Sequence, residues 1–229
     1  NKDVLLGAGR GWEVAPLLSA MFEESAVFTK AQTTRSITAP ALASMLTGTY
    51  PRSHGLRGND YVYPEADSLL QRFQDAGYRT FGYAANQCYL ADLGVDERYC
   101  TYHVELKGDE GLRERDRMLL DQLALSLEGV PQDERIFIWL HLNHPHAPYR
   151  TQPMWYDGFH PEPYEGLVEP SDEDQLNLIT LGELPFDEVD LEHILATYAG
   201  QVRPTDDHLD LLFDSLRASG RYDDAVIAF

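Results

Sequence analysis

Thr38 lies in the run Thr33-Thr34-Arg35-Ser36-Ile37-Thr38-Ala39-Pro40-Ala41-Leu42-Ala43-Ser44-Met45-Leu46-Thr47-Gly48-Thr49-Tyr50-Pro51. The run places a hydroxyl side chain just ahead of a short helix, read as Ala41 to Thr47, that Pro40 opens and Gly48 closes. Backbone amides at a helix start point outward and favour an anion. A phosphate or sulfate held there would lie against the Thr38 hydroxyl. Two roles stay open on local chemistry: a nucleophile beside a bound oxyanion, and a plain helix N-cap. A second concentration of chemistry is Trp139-Leu140-His141-Leu142-Asn143-His144-Pro145-His146-Ala147-Pro148-Tyr149. Imidazoles change charge near neutral pH and serve general acid–base work. Three of them within six residues could also ligate a metal, or could simply pack at a polar strand end.

The two segments together resemble the sulfatase-like branch of the alkaline phosphatase superfamily. Ala39 to Pro51, ending in Leu46-Thr47-Gly48-Thr49-Tyr50-Pro51, is similar to the family signature in which Cys or Ser precedes x-Pro-Ser-Arg and then Leu-Thr-Gly-x-Tyr-Pro. Arg52-Ser53-His54-Gly55-Leu56-Arg57-Gly58-Asn59 resembles its Pro-x-x-His-Gly-Val continuation, and Ala76-Gly77-Tyr78-Arg79-Thr80 its Ala-Gly-Tyr-x-Thr segment. His141 to Tyr149 looks like His-x-x-x-Pro-His-x-Pro-Tyr, and Tyr198 to Asp206 like a Tyr-x-x-x-Val-x-x-x-Asp helix with an unusual Pro204.

The resemblance implies an α/β, alkaline phosphatase-like fold, with a central mostly parallel or mixed sheet and helices on both faces. It implies an ester hydrolase or transferase for small-molecule phosphate or sulfate esters, dependent on a divalent metal such as Ca²⁺, Mn²⁺, Mg²⁺ or Zn²⁺. Thr38 aligns with the nucleophile and is expected among the metal ligands. His146 aligns with the histidine that contacts the transferred group or protonates the leaving oxygen. His141, Asn86, Asn59 and His54 are expected near substrate, with a packing or turn role open for His54 and Asn86; His144 reads as peripheral and Asp206 as structural. Two departures matter. Thr cannot become formylglycine, and Leu42 replaces the signature Arg, so the resemblance shifts from formylglycine sulfatases toward phosphoryl chemistry. The family's Asp-x-x-Arg and Asp-His-Gly metal segments are missing, which makes an incomplete chain the expectation; the alternative is a catalytically inactive sulfatase-like binding or structural module. On this reading the 229 residues should not catalyse by themselves.

The elements that must position these groups alternate between helix and strand, as an α/β sheet requires. Helices are expected at Pro16 to Glu24, Asp67 to Ala76, Leu112 to Leu127 and Leu191 to Ser219, the last kinked or split at Pro204. Strands are expected at Tyr78 to Ala84, at Arg135 to Leu142 as a run buried on both faces, and at Ala225 to Phe229. One domain over 1–229 is the expected organisation. Its Pro-rich, acidic stretch 151–190 reads as a surface excursion, either beside the site or as a solvated loop.

Composition bounds the partners. A net charge of −20 argues against nucleic acid and against an anionic membrane surface. Of 18 basic residues only Lys2, Lys30 and Lys107 are lysines; excess carboxylates with little Lys suit a salt-rich setting, and equally an ordinary acidic protein. No run reaches the ~18–20 apolar residues of a membrane span. Cys88 and Cys100 give no disulfide framework or metal spacing; a single bridge between them stays open beside the favoured reading of free thiols in a reducing compartment, a slight lean to the cytoplasm.

Overall fold

The computed structural model describes residues 12–59, 67–84, 102–105, 112–160 and 162–229. Their elements in chain order are α1 (Pro16–Glu24), α2 (Thr38–Thr47), α3 (Pro51–His54), α4 (Leu69–Asp75), β1 (Arg79–Ala84), β2 (Tyr102–Glu105), α5 (Leu112–Glu128), β3 (Ile136–His141), α6 (Pro153–Tyr156), α7 (Glu173–Leu181) and α8 (Glu188–Ala218). None of these helices is long and apolar enough to cross a membrane. The chain divides into two compact units, one from Asn1–Val27 and His144–Asp214, the other from Phe28–Asn143 and Ser215–Phe229.

The second unit holds a parallel sheet in the order β2-β1-β3. Strands that run parallel need crossover connections, and α5 lies on the one from β2 to β3, which flank β1 on either side. β1 is central, and Thr80, Phe81, Tyr83 and Ala84 are each at most 1% exposed. Its register with β3 pairs Thr80 with Phe137, Gly82 with Trp139 and Ala84 with His141. Side chains alternate along a strand, so these six positions share one face. That face carries the core of the unit: Ala39, Leu42, Ala43 and Leu46 of α2, with Leu56 and Leu70, pack with Ala84 against Phe137 and Trp139. Each fully buried leucine there contributes about 1.5–3 kcal/mol of transfer free energy. Phe73 of α4 stacks on Phe137 at 4.1 Å. In α5, Leu119, Leu120, Leu123 and Leu127 form a buried stripe at helical spacing. Asp116 on the same helix accepts the Asn143 amide at 2.8 Å, just past the end of β3.

β3 departs from the expectation of burial on both faces: all six residues are half-buried. It has a neighbour on one side only among the described residues, and an edge strand is shielded less than a central one. Ala225–Phe229 also departs from expectation. It is irregular rather than a strand, with Val226 and Phe229 well exposed. Its apolar pattern finds no strand partner among the described residues, and a strand needs one.

The first unit is built on α8. Val14, Ala15, Phe159, Ala196, Ala199 and Val202 form its core. Asp206, 1% exposed, holds the start of α1 by accepting the Leu17 and Leu18 amides at 2.9 and 3.1 Å. Its structural reading from the sequence is the one this geometry supports. Pro204 does not split α8, which runs unbroken through it. Proline removes one hydrogen bond, to the Gly200 carbonyl, and the flanking turns packed in this core carry the helix across. Gly200 is needed for a different reason: a Cβ there would sit 2.4 Å from the Thr151 Oγ1. The stretch 151–190 is more than a solvated loop. It carries α6 and α7 and buries Phe159, Val168 and Pro170.

Candidate active site

α2 begins three residues earlier than its sequence suggests, because Thr38, Ala39 and Pro40 form its first turn. Ile37 is the extended N-cap residue and has no side-chain acceptor. Thr38 is therefore the first residue inside the helix and not its cap, and its half-buried side chain makes no cap hydrogen bond. The capping acceptor comes from elsewhere in the chain: Asn59 Oδ1 accepts the Ala39 amide at 3.1 Å. Pro40 has no amide hydrogen, and its ring suits the first turn because that donor would be an orphan anyway. The Ala41 amide already bonds the Ile37 carbonyl at 3.2 Å. Of the first-turn amides only that of Thr38 itself is left open toward an anion among the described residues. The anion-binding helix start anticipated from the sequence is thus narrower than a bare terminus, one amide beside one hydroxyl.

The far end of α2 explains the turn that follows. Gly48 adopts φ +66°, and its amide returns to the Ser44 carbonyl at 2.9 Å. Gly55 closes α3 in the same left-handed region, with its amide on the Pro51 carbonyl. Only glycine enters this region without strain. The two turns bring His54 back onto α2, where it is 5% exposed. His54 Nδ1 accepts the Leu56 amide at 3.2 Å, so the neutral ring carries its proton on Nε2. That proton is donated to Ser44 Oγ at 3.0 Å, and Ser44 Oγ also accepts from Thr34 Oγ1 at 2.9 Å. Burial lowers the His54 pKa, against a smaller opposing pull from the Pro40 carbonyl. The Ser44–His54 pair is not a nucleophile–base dyad, because the nitrogen facing the hydroxyl bears a hydrogen. Both ring nitrogens are used inside the unit, where His54 braces α2.

His141 closes β3 on the sheet face that α2 covers, opposite Ala84, and is half-buried. Asn86, two residues past β1, lies outside the described residues, as do Cys88 and Cys100. His146 belongs to the other unit, where it is exposed and its Nδ1 contacts the Ala147 carbonyl at 2.5 Å. The peptide bonds before Pro145 and Pro148, on either side of it, are cis. The structure therefore collects Thr38, Asn59, His54 and His141 in the second unit and places His146 in the first. Sequence reasoning did not single out Ser44 and Thr34. Their hydroxyls become recognisable only once α2 and α3 are folded against each other. No group of three or more His, Cys, Asp or Glu side chains suited to a metal ion occurs among the described residues. They do not by themselves fit the divalent ion that the resemblance implies.

Residues 8–229 match the family model described as Sulfatase. No curated protein matches the sequence. Among solved structures, the phosphonate monoester hydrolase of Agrobacterium radiobacter is similar at TM-score 0.68 and 14% identity, over 93% of this chain and 57% of that one. The C-terminal periplasmic domain of EcEptC from Escherichia coli, in complex with Zn, is similar at TM-score 0.60 and 20% identity, over 92% and 55%. BT4656, in complex with its substrate D-glucosamine-2-N,6-O-disulfate, is similar at TM-score 0.68 and 14% identity, over 92% and 58%. The chain thus spans little more than half the length of these structures. At such identities they establish the fold, which is α/β and alkaline phosphatase-like.

Proposed function

The chain belongs to the sulfatase family, and from that premise we propose that it is part of a hydrolase or transferase for phosphate or sulfate esters working through a covalent intermediate on Thr38. The observation that carries this reading is the state of Thr38 at the start of α2. Its hydroxyl is not used as a cap, and its own amide is the one first-turn donor left open toward an anion among the described residues. In the proposed step the Thr38 oxygen bonds to the phosphorus or sulfur of the ester as the bond to the leaving oxygen breaks. The Thr38 hydroxyl proton passes to water, and the leaving oxygen takes up a proton from His146, the role that the resemblance implies for it, or from water. Water or an acceptor alcohol then releases the group from Thr38. The Thr38 amide would donate to the charge that develops on the transferred group. Asn59, by holding the Ala39 amide, fixes the direction of the helix start.

Metal dependence is part of the proposal, with Thr38 as one ligand. The described residues do not complete a site, so the remaining ligands would come from outside them. A threonine hydroxyl is a weak nucleophile at neutral pH, and a bound divalent cation is one route to activating it. The relatives named above include a phosphonate monoester hydrolase and a protein with a sulfated sugar as substrate; a phosphate ester is favoured here because the nucleophile position holds Thr and Leu42 stands where the signature has Arg. The test is turnover of aryl phosphate and aryl sulfate esters by the full-length protein, with each divalent cation in turn, beside Thr38→Ala. Loss of turnover in the variant is expected; wild-type turnover would end the Thr38 reading. The incomplete metal site among the described residues favours a second reading, an inactive sulfatase-like module, which predicts no turnover with any cation.

A further inference from the structure

A cleft of about 460 Å³ opens in the first unit, with Tyr149, Arg150, Tyr156, Asp157, Glu169 and His193 among its walls. Its volume falls within the ~300–1,000 Å³ of small-molecule sites. The walls are fixed before any ligand arrives. The Tyr149 amide donates to the Pro170 carbonyl at 2.8 Å, and the Tyr149 ring meets Tyr198 edge-on at 5.4 Å. Tyr156 Oη hydrogen-bonds His193 Nδ1 at 2.7 Å. Tyr164 stacks flat against the His193 ring at 3.8 Å and donates its hydroxyl to Asp190. The imidazole is thereby locked to both α6 and the segment after it. Such preorganisation lowers the ordering cost of binding.

The wall chemistry selects the ligand class. Arg150 brings five donors and Glu169 and Asp157 bring acceptors, and a purely apolar ligand would leave all of them unused. A polyanion would meet two carboxylates against one guanidinium, in a chain of net charge −20. A cation alone would leave Arg150 unused, and no metal-ligand cluster occurs among the described residues. A ring of vicinal hydroxyls both donates and accepts at each carbon and can pair with both kinds of wall group at once.

We propose that this cleft binds an uncharged polyhydroxyl group, a sugar ring, through Arg150 and Glu169, with Tyr149, Tyr156 and His193 as its fixed walls. This site does not depend on Thr38, so it can stand or fall apart from the ester chemistry.

Saturation-transfer NMR on the full-length protein tests it, with D-glucose as the probe and citrate as the polyanion control. Glucose should receive saturation with a Kd in the millimolar range, and citrate should not compete with it. Arg150 and Glu169 are both exposed, so Arg150→Ala and Glu169→Ala should leave the circular dichroism unchanged. Each should weaken glucose binding about tenfold, equivalent to about 1.4 kcal/mol. Thr38→Ala should leave binding unaltered. No transfer to glucose, equal transfer in wild type and both variants, or displacement of glucose by citrate would each overturn the proposal.

Discussion

Replacing His54 by Ala tests the brace beneath α2. The substitution removes an acceptor from the Leu56 amide and a donor from Ser44 Oγ, and it empties a ring volume that is 5% exposed. Two lost hydrogen bonds account for about 0.5–1.5 kcal/mol each, more where a buried partner is left unsatisfied. The emptied ring volume adds a cavity cost. A total loss of about 2–4 kcal/mol is expected in urea unfolding at pH 7.5, read in the full-length protein. The same geometry sets a pH dependence. Protonated His54 would turn Nδ1 into a donor facing the Leu56 N–H, and burial further disfavours the charge, so its folded pKa lies below the ordinary value. With a depressed pKa in a base, the unfolded chain takes up the proton first as pH falls below about 6.5. Stability is complete above that pH and is lost below it until the folded pKa is passed. One such proton contributes a slope of up to about 1.4 kcal/mol per pH unit. His193 is also lowered by burial, so the diagnostic quantity is the difference in slope between wild type and His54→Ala. A loss below about 0.5 kcal/mol at pH 7.5, or the same acid slope in both proteins, would refute the brace.

Three further outcomes follow from particular contacts. Asn59→Ala should cost about 1 kcal/mol of stability by uncapping the Ala39 amide, measured by urea unfolding, with Asn59→Asp close to wild type because a carboxylate also caps a helix start. Asp206→Ala should cost about 2–4 kcal/mol, since it leaves the Leu17 and Leu18 amides without their shared acceptor in a buried site; limited proteolysis should show α1 released before the rest of its unit. Gly200→Ala should lower the melting temperature despite alanine's better helix propensity, because its Cβ meets Thr151 Oγ1 at 2.4 Å. Thr151→Ala in the same chain should recover part of that loss.

The parts of the fold written in local chemistry were readable from the sequence. Gly48 and Pro51 mark the turn after α2, and the apolar run after Arg79 marks β1, because helix ends and buried strands depend on neighbours close in the chain. The start of α2 was misplaced because its cap, Asn59, lies 20 residues away and no local pattern announces it. Pro204 suggested a break for the same kind of reason, since local propensity alone does not register the core that α8 shares with Val14, Ala15 and Phe159. His54 shows the limit for the site. Its position in a His-Gly step is readable, but its tautomer and its use as a brace depend on Ser44 and Leu56 meeting both nitrogens.

The central claim, that Thr38 carries the transferred group, is tested most directly by quenching the full-length protein in acid during turnover of an aryl phosphate and mapping its peptides by tandem mass spectrometry. The account predicts a phosphoryl group on Thr38 that appears within the first turnover, disappears once the substrate is exhausted, and is absent from Thr38→Ala. Turnover with no modified Thr38, or undiminished turnover in Thr38→Ala, would contradict it.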